Sequence, residues 1–186
     1  MFLLGMDGTV LSSTVAQIPE GTPFPYIQAL RDLRSKNQSM LIVPLQGQPH
    51  LLVDSTVMAP LPIARVVMGF SMDNDLAQEL RSLSGLQVSF LSVVHRLPGQ
   101  IISTQPEALF ESLRGVMMST SSDHMQMTEH QSQSFLSKTL RLGSISDSDS
   151  DVVALLQSPL DQAMQAFAPL DEKLFWITLV ALAGSL

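Results

Sequence analysis

Ser71, in GFSMD (69–73), is the first side chain whose setting invites chemistry. A nucleophile elbow needs a second glycine two residues after its serine, and Asp73 stands there, so no serine nucleophile is expected. SDSDSD (146–151) sets Asp147, Asp149 and Asp151 at alternate positions, as a calcium loop begins. Such a loop needs glycine sixth and glutamate twelfth, and the chain has Val152 and Ser158 there, so a solvated hairpin loop is expected instead. His124 and His130, beside Asp123 and Glu129, lie six apart rather than at the i, i+4 spacing of a helical metal pair. The chain has no cysteine, which excludes disulfides, thiolate catalysis and cysteine-ligated zinc. No catalytic residue, metal site or cofactor is expected. The polar groups that remain for binding a ligand are Tyr26, His50, Asp54 and Arg65, expected on the concave side of a first sheet.

Asp7 needs separate treatment. GMDGTV (5–10) follows an apolar run and resembles the first motif of haloacid-dehalogenase-like phosphatases, in which one aspartate is the nucleophile and a second, two residues on, the general acid. Gly5 occupies the nucleophile position here. A lone carboxylate cannot form the aspartyl-phosphate intermediate. The expected role of Asp7 is in a D-G turn between two short strands, where glycine tolerates positive φ. A degenerate hydrolase around Asp7 stays as the enzymatic alternative, and it requires a parallel sheet.

The elements that position these groups follow from pattern. FLLGMDGTVLSST (2–14) predicts a hairpin, and Phe24–Leu33 a short helix with Ile27, Leu30 and Leu33 on one face. SMLIVPLQGQPHLLVDSTVMAP (39–60) predicts two strands around Q-G-Q-P, and IARVVMGFSMD (63–73) a third. Asp73 is the expected N-cap of a helix over 75–83, closed by Gly85. The order then recurs: strand, P-G turn and strand over 86–104, a helix over 106–115 opened by proline and closed by glycine, a strand over 134–144 and a strand over 151–158. IIST echoes VLSST, and PEALFESLRG matches FPYIQALR. Met117–Ser134 is polar and predicts a loop. SPLDQAMQAF (158–167) predicts a helix with Ser158 as N-cap and Pro159 first. Antiparallel strands flanked by helices, stated twice, make an α+β chain.

The tail LFWITLVALAGSL (174–186) carries no charge and follows Asp171, Glu172 and Lys173. It reads as the start of a membrane-spanning helix, which needs about 20 apolar residues, with Trp176 at the interface. No signal peptide opens the chain, so it is expected to be a fragment. Net charge is −7 and the pI about 4.8, which argues against nucleic acid as a partner.

The succession DGTVLSST, PLQGQPHLLVDSTVMAPLPIARVVMGFSMDNDLAQELRSLSGLQVSFLS, IISTQ and VVALLQSPLDQAMQAFAPLDEKLFWITLVALAGSL resembles the double Cache sensor domains of bacterial transmembrane signalling proteins, of the type linked to HAMP and GGDEF or EAL modules. The resemblance implies two PAS-like modules in tandem, held in the periplasm on the inner membrane. It implies a first, membrane-distal module over 1–75, a connecting helix over 76–85, a second, membrane-proximal module over 86–172, and the start of a transmembrane helix over 173–186. It further implies a small-molecule ligand of unknown identity, a homodimer, membrane attachment through the C-terminal helix, and a cyclic-di-GMP or kinase output from a non-enzymatic sensing fragment. The resemblance implies a first transmembrane helix and a long stalk helix ahead of the first module, so a fragment that starts after them is expected. The Tyr, Arg and Trp spacing that binds amino acids in some relatives is absent, so no ligand carries over. Leu160, Ala163, Met164, Phe167 and Leu170 recur at helical spacing toward Leu174, with Pro169 as an expected kink. A membrane-tethered structural module is the third reading, and it predicts no polar pocket in either sheet.

Overall fold

Two tight turns set up the first half of the chain. The computed structural model describes residues 1–119, 125–130, 133–143 and 150–160. Strands β1 (Phe2–Leu4) and β2 (Val10–Ser13) pair antiparallel across the D-G turn. Gly8 holds φ +96° there, and an added Cβ would collide with the Ile27 side chain, so only glycine fits. Helix α1 (Ile27–Ser35) begins three residues later than its spacing predicts, because Phe24 is taken into the core, its ring 5.0 Å from Phe2 and 5.9 Å from Tyr26. Strands β3 (Met40–Leu45) and β4 (Gln48–Met58) turn at Gln46 and Gly47, both at positive φ (56° and 76°), the geometry of a two-residue hairpin that follows the strand twist. Strand β5 (Pro62–Ser71) completes a sheet ordered β2-β1-β5-β4-β3, antiparallel throughout. Phe2, Leu4, Leu52, Val67, Phe24 and Leu30 fill the layer between this sheet and α1.

Helix α2 (Asn74–Ser84) follows the cap chemistry of its sequence. The Asp73 carboxylate accepts from the Leu76 N–H at 3.1 Å, and Gly85 closes the helix at φ 73° with its N–H on the Arg81 carbonyl at 2.8 Å. Strands β6 (Gln87–Val94) and β7 (Leu97–Ser103) then form a hairpin. Its turn falls at His95–Arg96 (φ 51° and 63°), not at Pro98–Gly99, which lies inside β7. β7 is an edge strand, so Pro98 forfeits no ladder bond, and Gly99 passes so close to Ser92 that a side chain would collide with its hydroxyl. A 3₁₀ turn (Glu107–Leu109) leads into helix α3 (Phe110–Ser119). Gly115 does not end this helix; it sits within it, where an added Cβ meets open space.

Part of the predicted loop over 117–134 is strand. Met117–Ser119 is the end of α3, and β8 (Met125–His130) pairs with β9 (Gln133–Arg141). β9 buries Phe135, Ser137 and Thr139 on one side, the alternation its sequence predicts. β10 (Asp151–Pro159) runs further than expected. Ser158 and Pro159 pair with Leu136 and Phe135 as strand, Leu160 after them is helical, and the rest of the helix expected over 158–167 lies outside the described residues. The second sheet is ordered β7-β6-β10-β9-β8, again antiparallel.

Counted within each half, both sheets read 2-1-5-4-3, and in both a helix lies between the second and third strands. The duplication in the sequence is therefore a duplication of topology, α+β, and it matches PAS-like domains in tandem. The halves meet along β3, where Ile42 joins Leu140 and Leu142 in packing against the buried Val88, Phe90 and Ala154 of the second sheet, and the Ser92 hydroxyl donates to the Gly47 carbonyl. Met72, just ahead of the α2 cap, and Ala77 within α2 cover the same side of the second sheet. The corresponding side of the first sheet leaves Met68 and Phe70 exposed. Among the described residues no helix is long and apolar enough to cross a membrane. The tail from 173, the run over 161–172, His124, Asp147 and Asp149 lie outside the described residues.

Candidate functional site

Strand register decides which polar groups of the first sheet share a side. Asp54 pairs with Val67 and Thr56 with Arg65, and Arg65 also pairs with Leu4, so all of these side chains face α1. His50 has the same parity on β4. Tyr26 immediately precedes α1 and enters from above, so the four residues expected to bind a ligand occupy one side of one sheet.

They form two groups. Arg65 Nε donates to Asp54 Oδ1 at 3.1 Å and its Nη2 donates to Oδ2, a bidentate pair whose side chains are 3% and 7% exposed. Tyr26 and His50 sit nearer the β3–β4 turn. The Tyr26 hydroxyl donates to the Pro44 carbonyl at 2.6 Å, and burial raises its pKa above the ordinary phenol value. His50 Nδ1 lies 3.1 Å from the Gln48 carbonyl. Four residues of strand, about 13 Å, separate His50 from Asp54, and Leu52 lies between them in the core. Of the four, Asp54 and Arg65 are the two that hydrogen-bond to each other.

The charged pair does not end in hydrocarbon. A cleft of about 210 Å³ opens beside Asp54 and Thr56, walled by Arg34, Asn37, Gln38 and Ser39. Arg34 stands in the last turn of α1, and Asn37 takes φ 58° as the chain leaves the helix. The Ser39 carbonyl accepts the Asp54 N–H at 2.8 Å and ties this connector to β4. The connector residues were not among the predicted ligands. Their signal was the polar run SKNQS (35–39), which reads only as a helix exit. On the other side of the same connector a larger groove, about 580 Å³, runs between the two sheets past Met40, Ile42, Leu51 and Leu142.

Asp7 is settled by its surroundings. Its carboxylate accepts from the Thr9 N–H at 3.0 Å and the Thr9 hydroxyl at 2.7 Å, and these bonds, the backbone one first, lower its pKa. It stands fully exposed in a hairpin of an antiparallel sheet. Both sheets of the described residues are antiparallel throughout, where a phosphatase-like hydrolase requires a parallel one, and that alternative is overturned. Ser71 ends β5 opposite His50. Among the described residues no three metal-ligating side chains gather. Asp151 begins β10, 3.5 Å from Arg141.

No family model matches the chain, and no curated protein matches it. Solved structures with a similar fold include ligand-binding domains of bacterial chemoreceptors. The ligand-binding domain of the Pseudomonas fluorescens chemoreceptor CtaA with L-isoleucine is 15% identical, over 89% of this chain and 70% of its own, at a TM-score of 0.46. The domain of the Pseudomonas aeruginosa PAO1 amino acid chemoreceptor PctB with L-Arg is 16% identical, over 87% and 71%, at 0.43. The ligand-binding domain of Mlp24 with asparagine is 13% identical, over 89% and 70%, at 0.41.

Proposed function

We propose that the chain is the ligand-sensing region of a transmembrane signalling protein, held in the periplasm, with a small molecule bound on the α1 side of the first sheet. The observation that supports this best is the buried Asp54–Arg65 pair opening onto a polar cleft, within a fold built twice to the same plan. Arg34 and the Asp54 edge offer both signs of charge to a small polar ligand, while Asn37, Gln38 and Ser39 offer neutral donors and acceptors. A structural module without binding function predicts no such cleft. In this reading residues 1–75 form the ligand module, 76–85 the connection and 86–172 the membrane-proximal module. The C-terminal segment enters the inner membrane, and two copies pair to drive a cyclic-di-GMP or kinase output.

A ligand shifts a sensor only through unequal affinity for its two states. A thermal-shift screen against small polar metabolites tests the reading, because a ligand that binds only the folded state raises the melting temperature. The expected hit stabilises the wild type and fails to stabilise Asn37→Ala or Arg34→Ala. In the full-length protein the same compound changes the output activity. A hit that binds and leaves the output unchanged would sink the sensor role.

A further inference from the structure

We propose that the second sheet holds its own site, for a small uncharged molecule bearing several hydroxyl or carboxamide groups, on the side that faces α3. Register places two polar rows there. Thr139, Leu155, Ser89 and Ser103 lie abreast on four neighbouring strands, and Ser137, Gln157 and Gln87 lie abreast in the next row. Ser89, Ser137 and Gln157 are 1%, 0% and 1% exposed. The hydroxyls of Ser89 and Ser103 are 2.7 Å apart. Gln105 Nε2 donates to Gln157 Oε1 at 2.6 Å, and Gln157 Nε2 donates to Ser137 Oγ at 3.0 Å and to Thr128 Oγ1 at 3.2 Å.

On the equivalent side of the first sheet Arg65, paired with Asp54, is the one fully buried polar residue among those described, and Tyr26, His50 and Thr56 are only partly buried. Stability alone gives no reason for the second copy to bury so many polar groups, since each contributes little when paired and costs more when it is not. One is not paired: Thr139 is 3% exposed and its Oγ1 has no partner. A hydroxyl or an amide both donates and accepts, so this set can re-pair with a ligand's hydroxyls without burying charge. A charged ligand would bring an uncompensated charge among neutral groups. Arg141 and Asp151, on the same side one and two rows further along, already answer each other. Leu113 and Met117 of α3 form the apolar lid, and methionine adapts to what lies beneath it.

The site is independent of the sensor reading, since neither Asp54 nor Arg65 belongs to it. Methyl NMR at low millimolar glycerol, erythritol, myo-inositol and acetamide tests it. The expected result is a saturable shift of the Thr139 and Met117 methyls with at least one probe. Affinity falls about tenfold in Thr139→Val, as loss of one buried hydrogen bond implies. It is kept in Thr139→Ser and in the double variant Asp54→Leu, Arg65→Met. Ser89→Ala, in the same row, weakens the same probe if Thr139→Val does not fold. No saturable shift with any of the four probes, or equal affinity in Thr139→Val and wild type, overturns the site and leaves the hydroxyl holding water only.

Discussion

Arg65 and Asp54 neutralise each other at a depth where neither could stand alone. Arg65→Met by itself leaves a buried carboxylate unpaired and is expected to destabilise by about 3–5 kcal/mol. Replacing both, Asp54→Leu with Arg65→Met, is expected to be near neutral, and urea unfolding of the three proteins separates these outcomes. Tyr26 makes a second prediction. Burial raises its pKa, so the fold favours the neutral phenol. Its contribution is fully present below the unfolded value of about 10 and is lost as pH rises through the higher folded value. Tyr26→Phe removes that alkaline loss and, by leaving the Pro44 carbonyl without its donor, costs about 1–2 kcal/mol at neutral pH. Asp7 acts in the opposite sense. Its lowered pKa gives stability that is present above the ordinary value of 3.8 and lost as pH falls through the folded value, so Asp7→Asn flattens the acid limb of the urea midpoint plotted against pH.

At the scale of elements, local chemistry was legible wherever it acted alone. Asp73 and Gly85 bound α2 as their types predict, and the D-G and Q-G turns stand where the sequence puts them. Asp73→Ala is expected to lower stability by about 1 kcal/mol through the lost cap, read as a lower melting temperature. The misses are places where tertiary contact outweighs local preference. His95–Arg96 turns although neither residue favours positive φ, because register commits Pro98 and Gly99 to the ladder against β6. β8 is too polar to read as a strand, yet an edge strand needs only one good partner, and β9 supplies it. Within the candidate site the four predicted residues were legible as one side of one sheet, because strand parity is a sequence property. Their division into two groups depends on how far apart along β4 they fall and on Leu52 between them. The cleft beside Asp54 depends on where the α1 exit loop lands, which no local pattern encodes.

The whole molecule hinges on how closely two backbones approach. Gly143 lies against the Ile42 carbonyl, where any Cβ would collide. Gly143→Ala therefore forces the β9 exit away from β3 while leaving the pairings within each sheet intact. The expected result is loss of a single cooperative transition, with two melting steps in calorimetry and faster hydrogen exchange confined to the residues around Ile42, Leu140 and Leu142. A single unchanged transition would show that the halves do not depend on this contact.

The strand order has a further consequence, for how such a chain comes into being. In 2-1-5-4-3 the last strand made is the one that sits in the middle. Until β5 leaves the ribosome, β1–β2 and β3–β4 are two separate hairpins with open edges, and β6–β7 and β8–β9 wait in the same way for β10. Synthesis adds only about 5–20 residues per second, so each half spends seconds as unjoined ribbons before its centre arrives. The contacts that then close each sheet span long stretches of chain, which makes closure slow. A nascent chain arrested before Asp151 would keep its second pair of hairpins and have no sheet to hold them.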